Sequence, residues 1–132
     1  MIDYALARRA TLADLQRGVV SRVEVCDAHP DLLRAARYHG EPSDKLCPLC
    51  RGNRPLALVT YVFGAELKES SGRARAQSEL AALSQCHADL RVYVVEVCRA
   101  CSWNHLSSSF GIGTGDPIQS ATRPSRRRAA GK

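Results

Sequence analysis

Two cysteine pairs limit what this chain can fold into more than any other feature. Cys47 and Cys50 stand in "KLCPLCRGNRP" (residues 45–55), and Cys98 and Cys101 form "CRAC", with 47 residues between the pairs. A Cys-x-x-Cys turn sets two thiolates on one tight knuckle whose backbone amides can donate to the sulfurs. Two such knuckles supply the four soft ligands of a closed, tetrahedral zinc site. Three readings compete: one shared metal ion, a redox pair, or unrelated buried thiols.

The segments around the pairs favour the shared ion. "LALVTYVF" (56–63) and "LRVYVVEV" (90–97) are rich in β-branched and aromatic residues and read as strands. One strand leaves the first knuckle and the other ends on the second, so an antiparallel pairing brings both knuckles to the same end. "SGRARAQSELAALSQCH" (71–87) reads as a helix with Ala76, Leu80, Leu83 and His87 at helical spacing, and 103–110 as a short third strand. The expected fold class is α+β: short N-terminal helices, then a zinc ribbon-like antiparallel sheet with an inserted helix, then a flexible basic tail. The redox reading has one point in its favour, because "CPLC" resembles the Cys-Pro-x-Cys of glutaredoxin-type proteins. In that chemistry the first thiol opens a helix whose amides lower its pKa. Here "RGNRP" follows and cannot start a helix cleanly, and no βα unit precedes. Cys26, Cys86 and His105 read as packed thiols and a strand-end histidine before they read as ligands.

Residues 1–40 read as three short helices. Thr11 with Asp14 suggests an N-cap, Leu12 and Leu15 share a face, and Gly18 is a stop. Ser21 with Glu24 fits a capping box, and His29-Pro30 ends one helix and opens "PDLLRAARYH", with Leu32, Leu33 and Ala36 inward and Gly40 as its stop. Read as a helix-turn-helix with Gly18 in the turn, the segment would bury Asp14 and Glu24, which argues against sequence-specific DNA binding through it. "GEPSDKL" (40–46) reads as a loop. The expected organisation is 1–40 helical, 41–110 metal-binding, and 111–132 a tail too small, polar and basic to build a core.

The N-terminus carries acids and arginines every few residues, and no stretch approaches the roughly 18 apolar residues of a spanning helix. A cytoplasmic protein with reduced thiols is expected, and no membrane partner. Two Phe, one Trp and four Tyr leave a core of mainly Ala, Val and Leu, in which a metal crosslink would matter for stability. The net charge of +6 is uneven: residues 121–132 hold five basic groups and no acid, leaving fourteen basic against thirteen acidic residues elsewhere.

"VEVCDAHPDLLRAARYHGEPSDKLCPLCRG" (23–52) with "VYVVEVCRACSWNH" (92–105) resembles a family of small, uncharacterised actinobacterial proteins that carry a zinc ribbon behind a helical N-terminus. The resemblance covers all but the last twenty or so residues. It implies a cytosolic zinc-binding protein and supplies no function; one structural Zn²⁺ is the expectation from the four-cysteine set itself. Four cysteines would close the metal's shell, whereas catalytic zinc keeps an open position. No His-x-Glu of the zinc deaminases occurs, nor a phosphate loop with its lysine. The expectation is therefore a non-enzyme with a macromolecular partner and no small-molecule substrate. The leading class is contact with the transcription or translation machinery, such as RNA polymerase, the ribosome or nucleic acid itself. Arg51, Arg54, Arg99 and Trp103 near the metal, and Arg126, Arg127 and Arg128 in the tail, would make that contact. The alternative is a protein–protein adaptor that uses the N-terminal helices.

Overall fold

The computed structural model describes residues 1–50 and 54–115. β1 (Ile2–Asp3) precedes three helices, α1 (Ala5–Gln16), α2 (Arg22–Val25) and α3 (Pro30–His39). Strands β2 (Glu41–Leu46) and β3 (Pro55–Phe63) follow, then β4 (Arg73–Arg75) and α4 (Leu80–Cys86), with 3-10 turns at Ala65–Ser70 and Gln77–Glu79. β5 (Leu90–Val97) and β6 (Asn104–Ile112) complete the described chain. All pairings are antiparallel in the order β1-β6-β5-β3-β2, and β4 also pairs with β3. The architecture is thus mixed helix and antiparallel sheet. No helix among the described residues is long and apolar enough to cross a membrane.

Strand alternation sorts the core onto two faces. Ala57, Val59 and Tyr61 of β3 join Val97 of β5 beneath α3, where Leu32, Leu33 and Ala36 pack on them. Val62 of β3 and Leu90, Val92 and Val94 of β5 point the other way and meet Leu80 and Leu83 of α4. At the cysteine end of this second face, Leu56 and Trp103 pack with Leu12 and Leu15 of α1.

Local chemistry fixes the helix ends. Ser21 and Glu24 form both halves of a capping box, at 3.3 and 3.0 Å. His29 Nδ1 accepts from the Asp31 amide at 3.0 Å, and Pro30 opens α3. Gly18, at φ +78°, takes the left-handed conformation that closes α1.

Four expectations are corrected. Thr11 lies inside α1, its hydroxyl donating to Ala7 O at 3.1 Å, and α1 starts at Ala5. Residues 41–46 form an edge strand, not a loop; edge pairing uses only backbone groups, so this polar stretch carries no apolar pattern to announce it. The helix expected over 71–87 shrinks to Leu80–Cys86, because Gly72 (φ +86°) turns the chain and Arg73–Arg75 pair with β3. Finally, β6 runs to Ile112, and the amides of Thr114 and Gly115 bond to His87 O and Ala88 O, so 111–115 belong to the folded body.

Candidate metal centre

β3 and β5 pair with Ala57 opposite Val97, which puts the start of one strand beside the end of the other. The two cysteine turns therefore meet at one end of the sheet. Each turn closes the same way: the Cys47 amide donates to Arg54 O and the Cys98 amide to Trp103 O, both at 2.8 Å. Inside the first turn, the amides of Leu49 and Cys50 donate to Cys47 Sγ at 3.4 Å. In the second, the amides of Ala100 and Cys101 reach Cys98, and the Trp103 amide reaches Cys101. Ser102 supports this bend at φ +72°, a conformation unusual for a non-glycine residue.

The four Sγ atoms lie within 4.8 Å of one another, with Cys50–Cys98 at 3.6 Å and Cys47–Cys101 at 3.7 Å. A tetrahedron with metal–sulfur bonds of about 2.3 Å has sulfur–sulfur edges of about 3.8 Å. The spacing fits a tetrahedral ion, and the amide donors are oriented to stabilise thiolates. The four cysteines are positioned to hold a metal ion. Cys47 and Cys98 are buried, and Cys50 and Cys101 half-buried. Burial pushes the thiols of Cys47, Cys50 and Cys101 up, Cys50 to about 12. Burial acts on Cys98 too, but the amides of Cys101 and Ala100 and the thiols of Cys50 and Cys47 outweigh it and bring Cys98 down.

A fifth thiol was not expected here. Cys26 Sγ donates to Cys101 Sγ at 3.8 Å, just outside the group of four. The strand of contacts continues, with the Ala28 amide on Ser102 O at 3.1 Å and Asn104 Nδ2 on Asp27 Oδ1 at 3.0 Å. The chain between α2 and α3 is strapped to the second turn. Locally, Cys26 has His29 three residues on, but that ring accepts from the Asp31 amide at the start of α3, so the local sequence does not point to the second cysteine turn.

Trp103, expected to face a partner, is instead fully buried, at 0% exposure. Its indole N–H donates to Glu96 Oε2 at 2.8 Å, and Arg8 Nε donates to the same oxygen at 2.6 Å. Glu96 is itself 2% exposed, so the pair ties α1 to β5 through a buried carboxylate. Arg54 and Arg99 lie exposed beside the two turns. Arg51, Arg126, Arg127 and Arg128 fall outside the described residues. His105 stacks on Trp103, with ring centroids 6.0 Å apart, and takes no place among the sulfurs. Cys86, expected to be packed, is exposed at the end of α4.

No solved structure matches this chain. It is 48% identical over 118 residues to the uncharacterized protein Rv0049 of Mycobacterium tuberculosis (strain ATCC 25618 / H37Rv), covering 89% of this chain and 85% of that protein. The same identity and coverage hold for the uncharacterized protein Mb0050 of Mycobacterium bovis. Residues 1–129 match a family of unknown function (DUF5318), and the chain belongs to that family.

Proposed function

We propose that this is a non-enzymatic protein in which one structural zinc ion, held by Cys47, Cys50, Cys98 and Cys101, fixes a surface that engages nucleic acid or a nucleoprotein of the transcription or translation machinery. The observation that carries the metal half is the sulfur spacing of 3.6 and 3.7 Å between cysteines from two separate turns. An all-thiolate, near-tetrahedral set favours a soft or borderline cation, zinc first, and leaves no open position for a substrate. A zinc ion bound there supplies a crosslink between the two ends of the sheet-forming segment. Cys47, Cys50, Cys98 and Cys101 would hold the ion, and the turn amides would orient and stabilise their thiolates.

The partner half is supported by charge at the same end of the molecule. Arg54 and Arg99 project beside the turns, and the sequence carries five more basic groups in 121–132. Guanidinium groups suit phosphate because their planar donors bind it in pairs. The adaptor reading has its own support: Met1, Ile2, Leu6, Val19 and Val23 are exposed apolar side chains gathered in the first 25 residues.

Salt-titrated binding to RNA and DNA separates the two readings, using the full chain and a version ending at Ser120. Binding that weakens steeply with salt supports nucleic-acid contact. Absence of binding by either version at low salt removes it, and the adaptor reading then leads.

A further inference from the structure

α3 and the second cysteine turn enclose an open cleft of about 370 Å³, lined by Leu33, Arg34, Arg37, Tyr38 and Arg99. Three of its five lining residues are arginines. Arg34 is engaged by Asp31 at 2.8 Å. Arg37 and Arg99 have no carboxylate within ion-pair distance among the described residues. Two unneutralised guanidinium groups on one concavity form a site for a polyanion. Their planar forks take phosphate oxygens in pairs, which a scattered basic surface does not arrange.

Tyr38 makes the site more than an anion trap. It is 66% exposed, large for an aromatic residue, and the Arg37 guanidinium lies over its ring at 5.3 Å from the centroid. An exposed ring held beside cations is the combination that single-stranded nucleic acid uses, with a base on the ring and its phosphates on the arginines. The bases of a duplex are paired and stacked and cannot reach the ring, and an acidic peptide offers nothing to stack. The volume lies in the range of small-ligand sites, roughly 300–1,000 Å³. Leu33 packs at the base of α3 against the sheet, so the cleft has a fixed floor.

We propose that this cleft is a phosphate-and-base site for single-stranded nucleic acid, in which Arg37 and Arg99 bind the backbone and Tyr38 stacks a base. The inference deepens the nucleic-acid reading above and rests on it. Because Arg99 belongs to the second cysteine turn, metal binding would also set the geometry of one of the two phosphate contacts.

The test uses the full, metal-loaded chain and fluorescein-labelled oligo(U) and oligo(dT) of about ten nucleotides, within the usual span of single-strand sites. The variants are Arg37→Gln/Arg99→Gln and Tyr38→Ala; all three side chains are exposed, and metal content and melting temperature check that the fold is intact. The double variant should bind about tenfold or more weakly, and its salt slope (log K against log salt) should fall by about 1.4, two phosphate contacts' worth. Tyr38→Ala should weaken binding with the slope unchanged. If the wild-type chain binds and the double variant matches it in affinity and slope, the cleft is wrong while nucleic-acid contact stands. If the wild-type chain binds neither oligonucleotide at low salt but binds duplex DNA or structured RNA, the cleft is wrong while nucleic-acid contact stands; if it binds none of them, both readings fall. Preference for a duplex of the same length, or displacement by polyglutamate as effective as by unlabelled oligo(U), also overturns the proposal.

Discussion

Cys26 and Cys101 carry the same functional group and lie 3.8 Å apart, yet they should respond differently to substitution. Cys101 is one of four sulfurs at tetrahedral spacing, whereas Cys26 donates to that sulfur from outside. A donor in that position orients a ligand and draws off some of its charge, and losing such a partner typically weakens metal binding about 10- to 100-fold. Cys26→Ala should therefore fall in that range in a competition with a chromogenic chelator, and cost about 1–2 kcal/mol of stability as a packed thiol. Cys50→Ser or Cys101→Ser should remove tight binding and cost several kcal/mol, since structural zinc supplies on the order of 10 kcal/mol of apparent binding energy. Equal losses at all three positions would make Cys26 a ligand. The same pair shows what local sequence can reveal. Cys47, Cys50, Cys98 and Cys101 stand out because a knuckle is a four-residue object. The contact of Cys26 spans 75 residues and leaves no local mark. Trp103 misleads for a related reason: an indole suits a stacking surface or a core equally well, and the buried carboxylate of Glu96 decides for the core.

The tetrapeptide Val-Glu-Val-Cys occurs twice in this chain, at 23–26 and 95–98, with two different outcomes. The first copy makes the short helix α2, where Glu24 completes a capping box with Ser21. The second copy ends strand β5, where Glu96 is buried against Arg8 and Trp103. Upstream Ser21 provides a cap in one case, and antiparallel neighbours on both sides provide ladder partners in the other. Strands β3 and β5 are legible from their β-branched runs because both are central and two-sided. β2 and β4 are not, because they lie along successive lengths of one edge of β3 and need little burial. Among these elements, α1 is held by Leu12 and Leu15 and by the Arg8–Glu96 pair. Arg8→Ala leaves the Glu96 carboxylate buried with the Trp103 indole N–H as its remaining side-chain donor among the described residues, and such half-broken pairs cost about 3–5 kcal/mol. Since Arg8 keeps 20% of its side chain exposed, the lower end of that range is expected from chemical denaturation. Amide exchange should rise first in α1. Unchanged stability would mean that α1 is held by its leucines alone.

At the scale of the whole molecule, the core on the face away from α3 divides between two ends. The far end packs Val62, Leu67, Leu90, Val92 and Val94, and holds none of the candidate ligands. The near end packs Leu49, Leu56 and Trp103 with Cys47 and Cys98, so two of its five buried members are candidate ligands. Metal removal should loosen the near end, with α1 and α2, before the far end. The thiols give this a pH signature. In the metal-free chain, Cys47, Cys50 and Cys101 are raised, Cys50 to about 12, so the folded state favours their neutral form. That contribution is complete below the unfolded thiol value of about 8.5 and is lost as pH climbs toward 12, with lowered Cys98 opposing in part. Metal binding runs the other way, because each proton displaced from a thiol makes affinity rise with pH, by up to about tenfold per unit. Denaturation midpoints with and without a chelator between pH 6 and 10 should therefore diverge as pH increases. All of this depends on one ion shared by four sulfurs. Elemental analysis of protein purified under reducing conditions tests it most directly: one zinc per chain is expected, lost when Cys47 and Cys98 are both replaced by Ser, and a fully reduced, folded chain with no bound metal would contradict it.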